Sequence, residues 1–183
     1  MPRLKPITAK ADLSVQHQPV ADAVVKVFGH IRGPFSMLLH SPQLAERLLP
    51  IVSYFREDTI VEPKLRFVAI LTAARERNAA YVWAAQVSQA RAGGIREEVI
   101  ELIRSQGDTA KLQPEEREVA DYVRSLMRTH RVDQAKFDAL AKRHDPQWMV
   151  ELTAVANFFG FVSGIANAFE VTAPEGGDRL AGA

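Results

Sequence analysis

The chain contains no cysteine. That absence removes disulfides, thiolate zinc sites, iron–sulfur clusters and every cysteine nucleophile together. Charge of one sign is lacking too: 23 lysines and arginines face 22 aspartates and glutamates, a formal net charge of +1. Without a basic field the sequence offers nothing to attract nucleic acid or anionic lipid. Residues Met1 to Lys10 carry basic side chains but no apolar run, so a secretory leader is not expected and a cytoplasmic protein is. No segment alternates apolar and polar residues between hairpin turns, which leaves strands without a home. The histidines His17, His30, His130 and His144 show no paired spacing on one helix face, so neither a metal nor another cofactor is predicted.

What is present is helical periodicity. The chain has 183 residues, 47% of them apolar, enough for one hydrophobic core without staples. An extended arm is predicted over residues 1–17, a helical domain over 18–172 and a flexible tail over 173–183. The first helix is predicted from Pro19, with Val20, Val24, Val27, Phe28 and Ile31 at helical spacing until Gly33-Pro34 stops the run. Ser41-Pro42 supplies a capping hydroxyl and a preset first φ for a second helix reaching Arg56, which Pro50 should kink or split. Pro63 opens the next, with Leu65, Val68, Ala69, Leu71 and Thr72 facing inward, and another carries Tyr81, Trp83, Ala84 and Val87 to the glycine pair Gly93-Gly94. Further helices are expected over 96–105, 114–129 and 133–142, and Asp145-Pro146 opens the last. The fold class is all-α, a bundle of about seven or eight helices.

The last helix, from Trp148 to Phe169, is apolar almost all round and invites the membrane question. Glu151, Asn157 and Asn167 interrupt it, and Ala156, Gly160, Gly164 and Ala168 recur every fourth residue, where a second backbone can approach. A central helix of a soluble bundle or subunit interface explains both features, so no membrane partner is expected. Asn157 and Asn167 are then read as donors of interhelical hydrogen bonds.

The motifs Gly33-Pro34, Leu38-Leu39-His40-Ser41-Pro42, Arg66 to Arg75, Tyr81-Val82-Trp83-Ala84-Ala85-Gln86 and Ala92-Gly93-Gly94-Ile95 stand in a particular order. In that order they resemble the carboxymuconolactone decarboxylase-like and alkyl hydroperoxidase D-like superfamily. The resemblance covers about residues 20–171 and includes the ending Asn167-Ala168-Phe169-Glu170-Val171. It implies a helical bundle of the alkyl hydroperoxidase D-like type that assembles as a homo-trimer or homo-hexamer. Cysteine-free relatives read Tyr-Glu-Trp-x-x-His where this chain has Tyr81 to Gln86. In the peroxidase branch a Glu, a Cys-x-x-Cys pair and a His form a proton relay. Laid on by spacing, those positions fall on Phe67, Ala79, Val82 and Gln86. None of the four can supply a thiolate or move a proton, so thiol peroxidase chemistry is not expected.

Two function classes follow. In the first, a divergent enzyme or binder takes a small organic acid or lactone in a pocket lined by Phe67, Tyr81, Val82 and Trp83. Gln86 would orient a carbonyl, Arg66 or Arg75 would hold a carboxylate, and His40 would be the acid or base. Cofactor-free decarboxylation would need that cation and that acid, which makes His40, Arg66 and Gln86 the candidate catalytic residues. Each has a structural alternative: an ion pair with Glu62, Glu76 or Glu97 for the arginines, a hydrogen-bonded turn for His40 beside Arg32, and a buried amide for Gln86. In the second class the chain is a non-catalytic oligomeric scaffold or ligand sensor that kept the assembly and lost the relay. Hydroperoxide reduction by a non-thiol route ranks last.

Overall fold

A computed structural model describes residues 1–180. Among them are nine α-helices and no strand, as the periodicity requires. These are α1 Gln18–Phe28, α2 Pro34–Leu38, α3 Pro42–Ser53, α4 Pro63–Glu76, α5 Ala80–Ala92, α6 Glu97–Arg104, α7 Pro114–Thr129, α8 Gln134–Ala141 and α9 Pro146–Ala168. The described residues form two compact units, 1–59 with 165–172 and 60–164 with 173–180.

In the first unit, Val20, Ala21 and Val24 of α1 are buried, as are Ala45, Leu49 and Val52 of α3. The arm is not simply extended: it holds short 3-10 turns at Lys10–Asp12 and Val15–His17, and Ile7 is buried with its N–H bonded to the Ser36 carbonyl at 3.0 Å. Gly33-Pro34 stops one helix and starts another, because Gly33 takes a positive φ of 62° and Pro34 enters α2. Pro42 starts α3 as expected, but the Ser41 hydroxyl makes no capping bond. Nor does Pro50 end the helix. It lies on the exposed side, where one missing hydrogen bond is tolerated, and α3 passes into a π-turn at Tyr54–Asp58 closed by Thr59 N–H to the Tyr54 carbonyl.

The second unit is arranged around α4. Every residue from Val68 to Ala74 is buried, and small residues at 69, 73 and 74 let neighbours come close. Its core joins Trp83 and Val87 of α5, Ile100 and Ile103 of α6, Val119 and Val123 of α7, Leu140 of α8 and Leu152 and Ala156 of α9. This packing accounts for the apolarity of α9, a helix long and apolar enough to cross a membrane by composition. Asp145 caps α9 by accepting the Trp148 N–H at 2.9 Å. Glu151, 6% exposed, accepts the Ile60 N–H at 2.9 Å and the Gln147 amide at 2.8 Å, so the acidic break in an apolar helix fixes the approach to α4.

The small-residue row of α9 is used differently from the expectation. A Cβ at Gly160 would lie 3.3 Å from the Met127 sulfur, so the gap admits a side chain of α7, and a Cβ at Gly164 would meet nothing within 4 Å. Asn157 is exposed and bonds the Thr153 carbonyl of its own helix, not another helix.

Glu76 fastens the end of α4 to α7. Its side chain is 4% exposed and receives Arg128 Nε at 2.6 Å and Nη2 at 2.8 Å, with Arg124 Nε at 3.7 Å. Bonding to Glu76 raises the Arg128 pKa, whereas burial lowers that of Arg124. Replacing Glu76 by Ala leaves a partly buried guanidinium without its carboxylate. Denaturant unfolding should show a loss of roughly 3 kcal/mol, with Glu76→Gln losing less; a loss below about 1 kcal/mol would reduce the pair to an ordinary surface bridge.

Candidate functional site

Phe67, Ala79, Val82 and Gln86, the positions on which the resemblance lays a relay, lie on the α4–α5 hairpin. Asn78, at a φ of 47°, turns the chain between the helices, and the Ala79 N–H bonds the Ala74 carbonyl at 3.0 Å. At the far end Gly94 has a φ of 81°, and the Ile95 N–H closes α5 on the Ala90 carbonyl at 3.0 Å, the left-handed stop that the glycine pair predicts.

Within this hairpin Phe67, Ala79 and Val82 are packing positions. Ala79 and Trp83 are fully buried and Val82 is 4% exposed. Phe67 lies on the backbone of the α5 C-cap: a Cβ at Gly93 would come within 2.8 Å of its Cε2. Gln86 and Tyr81 are half-buried. The Gln86 amide has no hydrogen-bond partner among the described residues, and its neutral amide cannot take over proton transfer from a histidine.

The arginines separate. Arg75 is consumed inside the fold, donating from Nε to the Arg104 carbonyl at 2.7 Å and from Nη1 to Asn78 Oδ1. The acidic partners expected for the two arginines are engaged elsewhere: Glu62 by Trp148 Nε1 at 2.9 Å, Glu76 by Arg128, and Glu97 by Arg91 at 2.6 Å. Arg66 is half-buried and has no side-chain partner among the described residues. Burial holds its pKa below the ordinary arginine value. It remains charged at neutral pH, a desolvated cation without an internal anion.

His40 belongs to the first unit, whereas Arg66, Phe67, Tyr81, Val82, Trp83 and Gln86 all belong to the second. His40 is exposed, and its Nε2 lies 3.0 Å from the Lys5 carbonyl oxygen, which is the turn-holding role. With Lys5, Pro6, Ile7 and Asp12 it lines an open cleft of about 180 Å³. Asp12 there is held below the usual carboxylate range by the N–H groups of Thr8 and Ala9, so it is ionised beside His40 at neutral pH.

A second charged cluster gave no signal in the sequence. Asp178 accepts Arg91 Nη1 at 2.5 Å, Arg91 Nη2 at 3.0 Å and Arg104 Nη2 at 2.7 Å. These bonds, those from Arg91 first, hold its carboxyl below the usual aspartate value. The contribution of this contact to stability is therefore present above about pH 4 and is lost as the pH falls through the depressed value. Leu180 is 6% exposed in the core cluster. The segment predicted as a flexible tail is thus anchored through 180; residues 181–183 lie outside the described residues.

Because Phe67 rests on Gly93, Gly93→Ala should overpack the hairpin. We expect a loss of about 1 kcal/mol, partly restored by Phe67→Leu in the same chain, read as a double-mutant cycle in thermal unfolding. Additive effects would place the ring elsewhere.

No protein-family model and no curated protein matches the sequence. Solved structures do match. The alkylhydroperoxidase AhpD core of a peroxidase-related protein from Ralstonia eutropha JMP134 is similar at 17% identity and a TM-score of 0.76, covering 94% of this chain and 95% of its own. The debrominase Bmp8 is similar at 14% identity and a TM-score of 0.73, over 92% of this chain and 91% of its own. A cysteine-to-alanine variant of that debrominase in complex with 2,3,4-tribromopyrrole is similar at 15% identity and a TM-score of 0.74, over 95% and 94%. The chain has the AhpD-like fold, and it has that fold without a single cysteine.

Proposed function

We propose that this chain is a thiol-independent member of the carboxymuconolactone decarboxylase-like and AhpD-like superfamily that binds a small organic acid or lactone. The observation that carries the reading is Arg66, half-buried, desolvated and without an internal anion. A desolvated guanidinium gains most from a ligand that brings a carboxylate, and its planar fork suits bidentate contact. Gln86 on the partner helix of the hairpin adds an amide free to meet a carbonyl oxygen. The Bmp8 complex supports the idea that this fold accepts a small ring compound. Turnover on this reading is of the decarboxylase or lyase kind, with Arg66 as carboxylate anchor.

The second reading is a non-catalytic oligomeric scaffold or ligand sensor, favoured by the burial of Ala79 and Val82 and the packing of Phe67 on Gly93. Both readings include a cytoplasmic homo-trimer or homo-hexamer. Val150 and Phe161, 67% and 41% exposed on α9, are apolar groups available to an assembly.

Titration of a panel of small organic acids and lactones, read by calorimetry, tests the first reading. Acids should bind, and Arg66→Ala should weaken them at least tenfold, about 1.4 kcal/mol. Equal affinity for the wild type and Arg66→Ala, or no binding at all, would leave the scaffold in front.

A further inference from the structure

The contact between Asp178 and its two arginines is more than an exposed ion pair. Arg91 approaches from the end of α5 and Arg104 from the end of α6, and three donor hydrogens converge on one carboxylate. The side chain of Asp178 is 20% exposed and that of Arg104 23%. The other carboxylates paired with these arginines, Glu97 and Glu101, are 60% and 59% exposed. Asp178 alone among them is carried inward.

Two further features surround it. The Arg104 guanidinium lies 5.7 Å from the centroid of the Trp83 ring, and Trp83, fully buried, has an indole N–H with no hydrogen-bond partner among the described residues. The segment that delivers Asp178 has no regular secondary structure, and it presses on α5: a Cβ at Gly177 would lie 3.0 Å from the Ala84 Cβ. Leu180, buried in the core, holds the segment in place beyond the aspartate.

We propose that Arg91 and Arg104, with the Trp83 ring beneath Arg104, form a recognition site for a small organic monocarboxylate, and that Asp178 is its built-in occupant. A converging pair of guanidinium groups over an aromatic ring is a carboxylate receptor by its chemistry. The tethered aspartate competes at an effective concentration of about millimolar order. Carboxylates of low affinity are therefore outcompeted by Asp178, and a ligand that displaces it would loosen the segment from α5. Arg66 plays no part in this site, which stands on its own observations.

The test uses the full chain carrying Asp178→Ala, with Leu180 still anchoring the segment, and sodium acetate as probe against sodium chloride at matched ionic strength. Nitrogen-15 NMR follows the Trp83 indole and the arginine side-chain N–H signals. In Asp178→Ala, acetate should shift the Trp83 and Arg104 signals saturably at millimolar concentration, and the wild type should require roughly tenfold more. The response should vanish when Arg104→Ala is added and survive Arg66→Ala. No saturable shift in the folded variant overturns the proposal. So does a response lost with Arg66→Ala but kept with Arg104→Ala, which would assign the acetate to Arg66. Asp178→Asn serves as the second variant, keeping the shape of the side chain without its charge; unfolding of both would make Asp178 a structural latch only and overturn the proposal equally.

Discussion

The burial of α4 from Val68 to Ala74 on every side is the constraint that the second unit is built around. A helix buried all round needs partners on every face, and α5, α6, α7 and α9 all contribute to the core that contains it. It also needs its polar ends held. Trp148 bonds Glu62 just before the helix begins, and Arg124 and Arg128 pair with Glu76 at its last residue. Within the stretch Thr72 is fully buried, and its hydroxyl has no hydrogen-bond partner among the described residues.

The relay of a thiol peroxidase needs titratable and nucleophilic groups at the face between the helices corresponding to α4 and α5. Here the face is filled by Ala79, Val82 and Phe67, which add apolar contact and no proton carrier. Polar groups lie at the margins of the hairpin: Arg66 and Gln86, without side-chain partners among the described residues, and the Arg91–Asp178–Arg104 cluster beside Trp83. The fold is shared with an AhpD core at 17% identity because helical packing tolerates substitutions that preserve size and apolarity.

Helix positions were legible in the sequence because proline starts and glycine stops are local signals. The helix expected over 114–129 is found at Pro114–Thr129, and Gly94 adopts the left-handed conformation that ends α5. The kink or split expected at Pro50 does not end α3, which runs on to Ser53, and the π-turn that follows depends on surroundings that periodicity does not encode. Asn157 was misassigned because its partner is a carbonyl one turn back, a choice made by its exposure. Within the site, the lack of a thiol or titratable group at Phe67, Ala79, Val82 and Gln86 was readable from residue type. The fates of Arg66 and Arg75 were not, since both sit on one helix and only the tertiary fold decides which finds the Arg104 carbonyl. Asp178 carried no pattern at all, its partners lying far away in the chain.

The central claim is that Ala79 and Val82, the positions on which the spacing lays a cysteine pair, belong to the core. Because the chain has no cysteine, a single introduced thiol reports without background. The direct measurement is the rate at which a thiol reagent labels Ala79→Cys and Val82→Cys in the native protein. The account predicts protection, with labelling only as fast as the fold opens, since Ala79 is 0% and Val82 4% exposed. Labelling at the rate of a free thiol would contradict it and return an accessible pocket to those positions.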